Sequence, residues 1–399
     1  MKYDFDQLTD RTGTLSYKWE GIPAEFPENP KAVPFWIADM EFPCPEPIVR
    51  AVRGRAGHPL YGYSHESEDA RRLTASWLRR RHGWEVDPEW IIFSGGVVPG
   101  LIAMMNAVTD PGDKVILQPP VYYPLQEMIR DNGRILVENP LLYDGGRWVM
   151  NEDELERLAS DPGTKLFVLC NPHNPVSRAY TRRELTRAGE ICLAHGVKIA
   201  SDEIHADIVY RGHRHTPIAS LSRELAAVTM TSLSCSKTFN TAGLQLSTGI
   251  IPDRDLRERV NRKLAASQYL VNLFGAVGLQ AAYGDPECED YLEQLLVYLW
   301  DNYLFLDAFL RSCMPGIKCQ RPEATYLVWL DCRGLGLSDA EIRKLFLVNA
   351  GIAPDFGPMF GTGSSGFVRL NIACPRKMLQ DCLNRLAEAY QQLHTGGML

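Results

Sequence analysis

Val228-Thr229-Met230-Thr231-Ser232-Leu233 runs directly into Ser234-Cys235-Ser236-Lys237-Thr238-Phe239-Asn240-Thr241-Ala242-Gly243. The first six residues alternate β-branched and small side chains as a buried strand does, so Lys237 is expected on the loop leaving a strand's carboxyl end. Ligands bind at that edge in open α/β sheets. A lysine amine there becomes a nucleophile toward an aldehyde once its charged form is disfavoured, and the hydroxyls of Ser234 and Ser236 suit a phosphate beside it. The plain alternative is a surface lysine in a Ser/Thr-rich loop, so the neighbouring segments must decide.

Outward from this strand, short apolar runs alternate with amphipathic helices: Trp90 to Phe93, Lys114 to Leu117, Arg134 to Val137, Lys165 to Cys170, Val197 to Ala200, Val228 to Leu233 and Ser247 to Ile251. This is the pattern of an α/β fold, a mostly parallel seven-stranded sheet wrapped by helices. Thr181-Arg182-Arg183-Glu184 reads as a capping box for a helix ending near His195-Gly196. After Asp285-Pro286 the pattern changes to a long helix around Glu289 to Phe309, strand-like Thr325 to Leu330 and Gly366 to Ile372, and a last helix from Pro375 to Leu393. Three regions are expected: residues 1–48 as a proline- and aromatic-rich arm with part of the smaller domain, 49–285 as the large domain, and 286–399 as a smaller α+β domain.

The chain has 399 residues, beyond the roughly 250 to 300 at which single cores stop growing, which agrees with division into domains. Its net charge of -7 and scattered basic residues argue against nucleic acid as a partner; the run Arg79-Arg80-Arg81 reads as a solvated helix end. There is no apolar signal core and no apolar stretch of about 18 residues, so a cytoplasmic protein without membrane contact is expected. Ten cysteines without a CxxC pair read as reduced packing residues. The histidines of Arg211-Gly212-His213-Arg214-His215 lack a third ligand and read as surface residues, and no metal site is expected.

Three more segments fall at strand carboxyl ends. Ser94-Gly95-Gly96-Val97-Val98 opens a helix with glycines that let backbone N–H groups close on an anion. Cys170-Asn171-Pro172-His173-Asn174-Pro175 is a stiff turn that can aim an asparagine amide at a cofactor oxygen. Ser201-Asp202-Glu203-Ile204-His205 places an acid where it can face a protonated pyridine nitrogen and make the ring an electron sink. Each segment alone is equally a tight turn, an Asn-Pro turn or a capping acid. With Lys237 they point together to a pyridoxal phosphate Schiff base.

Over essentially its whole length the chain resembles the fold type I pyridoxal phosphate family, which includes the class I/II aminotransferases. Pro34-Phe35-Trp36-Ile37-Ala38-Asp39-Met40-Glu41-Phe42-Pro43, Tyr61-Gly62-Tyr63 and Asp202-Glu203-Ile204-His205 are similar to the cystathionine β-lyase, or C-S lyase, branch related to the maltose-regulon modulator. The resemblance implies that Lys237 forms the Schiff base with pyridoxal 5'-phosphate, Asp202 pairs with the pyridine nitrogen, and Asn174 bonds the ring 3-oxygen. It also implies that Gly96, Val97 and Ser234, with Ser236, hold the phosphate, that Tyr122 lies over the ring, and that His205 belongs to the cofactor site. Arg369 would clamp the substrate carboxylate, with Ala38 and Tyr122 also near the substrate. A homodimer is implied, in which Tyr61 reaches the neighbouring subunit's phosphate. Gln245 stands where many relatives carry a basic residue for the phosphate, Ser177 where a glycine is common, and His205 where many aminotransferases place a tyrosine.

The reaction implied is β-elimination from L-cystathionine or a related L-cysteine S-conjugate, with Lys237 as general base, giving a thiol, pyruvate and ammonia. Transamination uses the same residues and is the alternative; a cofactor-binding regulatory protein is the third. Trp36 and Phe42 in the arm are candidates for shaping specificity.

Overall fold

The computed structural model describes residues 2–394. All seven apolar runs are strands of one sheet: β1 Ile91–Ser94, β2 Lys114–Leu117, β3 Ile135–Glu138, β4 Thr164–Cys170, β5 Lys198–Asp202, β6 Thr229–Leu233 and β7 Ser247–Ile250. Their spatial order is β1-β7-β6-β5-β4-β2-β3; β7 is antiparallel to both neighbours and the other pairs are parallel. Helices cover both faces, so nearly all residues of the central strands are buried and the runs read as continuous rather than alternating, while the edge strand Ile135–Glu138 stays half-exposed. Val115, Leu117, Leu166, Val168 and Ala200 face one helical layer, whereas Ile116, Phe167, Leu169 and Ile199 face the other. Fully burying each of the larger side chains stabilises the fold by roughly 1.5–3 kcal/mol relative to exposure.

The helices used below are α1 Glu68–His82, α2 Val97–Val108, α3 Arg182–His195, α4 Pro286–Cys313 and α5 Arg376–His394. The expected capping box opens α3: Thr181 Oγ1 accepts from Glu184 N at 3.3 Å while Glu184 accepts from Thr181 N at 2.8 Å. Gly196 then closes the helix with φ +69°, a conformation that favours glycine. Arg79–Arg81 ends α1, and Arg81 reaches Glu293 on α4.

A second sheet is antiparallel throughout: β8 Lys318–Cys319, β9 Leu327–Asp331, β10 Asp355–Phe356 and β11 Phe367–Asn371, in the order β8-β9-β11-β10. The first fifty residues are not simply an arm laid over a surface. Phe35, Trp36, Met40 and Phe42 are buried, and Val33–Pro34 pairs in parallel with Ile352–Ala353. The aromatic side chains that suggested an extended arm are the reason it is packed in, because each removes a large apolar area from water.

Two smaller expectations need correction. His215 is buried rather than at the surface, with Nε2 2.8 Å from Glu203 Oε2; His213 is exposed. Cys313 is exposed and fills no core, although seven of the ten cysteines are buried. Phe42 packs edge-on against Phe5 and Tyr298. Among the described residues no cluster suits a metal ion, and no helix is long and apolar enough to cross a membrane.

Candidate active site

The carboxyl ends of β1, β2, β4, β5 and β6 open on one cavity of about 520 Å³. Gly96, Val97, Tyr122, Asn174, Asp202, His205, Ser234, Ser236, Lys237, Ala38 and Arg369 all line it, although they come from segments spread over more than 300 residues. Tyr61 does not. It lies 59% exposed beside Leu60 and Tyr63, which are also exposed, and its hydroxyl donates to Ala56 O.

Lys237 sits on a single helical turn, Ser236–Phe239, rather than on the expected loop, because Thr238 and Phe239 are both buried and wind the chain inward. Two contacts lock this turn. Thr238 Oγ1 donates to Asp207 Oδ2 at 2.8 Å, and Asp207 also receives hydrogen bonds at 3.0 Å from Trp77 Nε1 and at the same distance from His82 Nε2. On the other flank Asn240, at φ +58°, accepts from Met40 N and donates to the carbonyls of Met40 and Phe42, fastening the amino-terminal segment to the lysine turn. That segment presents Ala38 O, which accepts from Lys237 Nζ at 2.5 Å and from Tyr326 Oη at 3.0 Å.

Burial lowers the Lys237 amine from 10.5 to about 8, with Asp39 and Asp202 opposing the shift and Arg369 adding to it. The neutral amine is therefore within reach near neutral pH. Burial raises the Asp202 carboxyl to about 6, so it is ionised above that pH; its Oδ1 accepts from Ile204 N at 3.1 Å. His205 is pushed down to about 3 by burial, then by Lys237 and Arg369, and is neutral; its Nδ1 is buried without a partner.

Arg369, on β11, is buried and reaches across to the larger sheet. Its Nη1 donates to Asn174 Oδ1 at 2.9 Å, and its Nη2 donates to Trp36 O at 2.7 Å and to the Asp355 carboxylate. Burial lifts Asp355 to about 6, so at neutral pH it is a carboxylate beside the guanidinium. Arg369 Nε is buried and unpartnered. Asp355 escaped the sequence reading. Its only local signal is an acid directly after the apolar Ile352-Ala353-Pro354, and its pairing with Arg369 is long-range. Asp207 and Thr238 were likewise passed over, though the former lies five residues after Asp202 and the latter directly follows Lys237.

The cavity suits an aldehyde cofactor that carries a phosphate. Gly96 caps α2 at φ +150°, a conformation that favours glycine, without any side-chain cap, and the Val97 and Val98 amides lie in the first turn, where N–H groups have no intrahelical acceptor, at the positive helix end. Gly95 cannot carry a side chain without displacement, since a Cβ would lie 3.0 Å from the Tyr269 ring. Ser234 Oγ donates to Leu246 O at 2.7 Å and accepts from Ser236 N at 3.1 Å. Ser177, standing where a glycine is common, occupies the left-handed region at φ +55°, and its hydroxyl donates to Leu327 O.

A model of the family "Aminotransferase class I and II" matches residues 40–386. The chain belongs to the class I and II aminotransferase family. Among its relatives, cystathionine beta-lyase PatB of Bacillus subtilis (strain 168) is 42% identical over 97% of this chain and 99% of its own length. The structure of cystalysin from Treponema denticola, which contains a pyridoxal 5'-phosphate cofactor, superposes with a TM-score of 0.95 at 33% identity, covering 98% of this chain and all of that one. The PLP-bound C-S lyase of Staphylococcus hominis is 30% identical with a TM-score of 0.88, over 97% and 99% of the two chains. This aminotransferase-family chain therefore matches these lyase relatives over 97–98% of its own length and at least 99% of theirs.

Proposed function

We propose that this protein is a pyridoxal 5'-phosphate-dependent C-S β-lyase that cleaves L-cystathionine or related L-cysteine S-conjugates to a thiol, pyruvate and ammonia. The observation that carries the reading is the identity of 42% over 97% of the chain to a cystathionine beta-lyase, in a chain whose cavity gathers a depressed-pKa lysine, a buried carboxylate and a buried arginine.

Bound pyridoxal phosphate supplies an aldehyde that forms an imine with an amine, and a heterocycle that accepts the electrons left when a proton leaves Cα. The chain's own residues do the rest. Lys237 provides the amine that holds the cofactor and, once freed, removes the proton from Cα. Asp202 would hold the cofactor at its pyridine nitrogen and keep a proton there, Asn174 would hold it at the 3-oxygen, and Tyr122 would pack against it. Gly96, Val97, Ser234 and Ser236 would take the phosphate, and His205 would belong to the same cofactor site. Arg369 binds the α-carboxylate through its fork, held in place by Asp355 and Trp36 O, with Ala38 and Tyr122 alongside. In a homodimer, Tyr61 of the partner subunit completes the phosphate site; its exposure next to Leu60 and Tyr63 supports this reading. When the thiolate departs from Cβ, the released enamine hydrolyses to pyruvate and ammonia.

Transamination is the second reading, favoured by the family itself. Purified protein with L-cystathionine separates the two. The lyase yields pyruvate, new thiol and ammonia in equal amounts; a keto acid formed without thiol, only with a 2-oxo acid acceptor, identifies an aminotransferase and refutes the lyase.

A further inference from the structure

A cavity of about 740 Å³ shares no lining residue with the catalytic one. Arg182 at the start of α3, and Arg214 and Arg223 from the segment between β5 and β6, all line it. Among the described residues its one carboxylate is Glu85, so three guanidinium charges face one negative charge and the wall holds a surplus of two. Its remaining ionisable groups are His213, which is exposed, and His82, which is buried with Nε2 on Asp207 at 3.0 Å.

The chain itself does not use this charge. Neither Arg182 nor Arg223 has a carboxylate oxygen within 4.0 Å among the described residues, and Glu224, next to Arg223 in the chain, does not line the cavity. Arg182 also stands where a cation is unfavourable, because it is the first residue of a 14-residue helix whose amino end is the positive pole. Arg214 and Arg223 add like charge to it rather than relief. A local rule broken without compensation inside the chain marks a functional position. Arg214, by contrast, is seated: its Nη2 donates to His82 O at 3.1 Å, close over Gly83, where φ is +65° and a Cβ would lie 2.9 Å from that nitrogen. Its Nε and Nη1 donate to no described residue, so the fork remains open to an acceptor.

The rest of the wall narrows the ligand class. Trp84 and Trp90 line the cavity beside Ala179, Ala219 and Ala226, so apolar carbon and ring surface stand next to the guanidinium groups. A bare inorganic anion leaves that surface to water, whereas an anion on an apolar body covers it. The volume lies within the roughly 300–1,000 Å³ of small-molecule sites. We propose that this cavity is a second binding site, which takes an organic dianion: a phosphate monoester or a pair of carboxylates carried on an apolar body. The two negative charges balance the surplus on the wall, and guanidinium forks match both head groups.

The test is calorimetric titration of the cofactor-loaded protein, freed of excess cofactor, with phenyl phosphate, phthalate, benzoate and inorganic phosphate. At about pH 8 and low salt the first two are dianions. One saturable site is expected for phenyl phosphate or phthalate, and the tighter of the two identifies the head group. Inorganic phosphate and benzoate should each bind about ten-fold more weakly or less, since one lacks the apolar body and the other the second charge. Arg182→Glu and Arg223→Glu should each weaken the dianion by about ten-fold or more. Arg183→Glu reverses an equally exposed charge that does not line the cavity, and should leave affinity within about two-fold. Glutamate suits the amino end of α3, so ligand-free Arg182→Glu should melt no lower than the wild type. The inference is overturned if neither dianion saturates a site, if Arg183→Glu weakens binding as much as Arg182→Glu, or if inorganic phosphate binds as tightly as phenyl phosphate. Weakening confined to a variant whose melting temperature has fallen overturns it too. Turnover of cysteine conjugates enters none of these readings, so the inference and the lyase reading fail separately.

Discussion

Replacing Lys237 by methionine should make the cofactor-free protein more stable, although it abolishes the enzyme. Burial lowers this amine from 10.5 to about 8, and each pH unit of such a displacement is worth about 1.4 kcal/mol, so keeping the ammonium in the folded protein at pH 7 costs about 3 kcal/mol. Water in the cavity on which Lys237 opens screens part of this, bringing the cost toward about 2 kcal/mol. Methionine matches the length without the charge, and Ala38 O retains the Tyr326 hydroxyl. The sign follows from proton counts. Below pH 8 both folded and unfolded wild type carry the proton, and the fold bears the full cost. Between about 8 and 10.5 the unfolded chain holds a proton that the folded chain has released, so wild-type stability rises with pH and the advantage of Lys237→Met shrinks. Urea denaturation of both proteins, stripped of cofactor, at pH 7.0 and pH 9.5 measures this. A mutant no more stable than wild type at pH 7, with the same difference at both pH values, would refute a lysine held against its charge.

Thr238→Val removes the hydroxyl that ties the lysine turn to Asp207 but keeps the side chain's shape. A hydrogen bond to a buried carboxylate is worth about 1.5–3 kcal/mol, and since Trp77 and His82 still serve Asp207 the lower end is expected. Urea titration should show that loss, kcat should fall with KM little changed, and Thr238→Ser should recover most of both. Gln245→Arg should slow release of the cofactor about ten-fold by supplying the missing cation at the phosphate, and the backbone should tolerate it because both residues are equally strained at φ +47°. Cofactor transfer to an excess of a second apoenzyme gives the rate; unchanged release places the Gln245 side chain away from the phosphate.

The seven strands of the larger sheet were legible because the central ones are buried on both faces and read as continuous runs of apolar, β-branched and small residues, whereas the edge strand Ile135–Glu138 is only half-buried; all their ends were found to within about two residues. The capping box before α3 was legible for a similar reason: it satisfies helix amides with residues three apart in the chain. The lysine turn was mistaken for a loop because what winds it, burial of Thr238 and Phe239 and the grip of Asp207, comes from elsewhere in the chain. His215 reads as a surface residue in sequence because a basic loop is usually wet; its pairing with Glu203, near it in both chain and space, is visible only in the fold.

From residue order alone came the α/β architecture and the placement of Lys237, Asp202, Asn174 and Gly96 at strand ends, since these follow from short-range periodicity and turn chemistry, while the cofactor they suit was fixed only with the family resemblance. Three matters needed the folded chain: the approach of Arg369 to Asn174 and Asp355, the amine at Lys237 lowered to about 8, and the cavity that Arg182, Arg214 and Arg223 share. Each depends on which distant segments exclude water from one another, and solvent exclusion is a property of packing that no local pattern of residues carries.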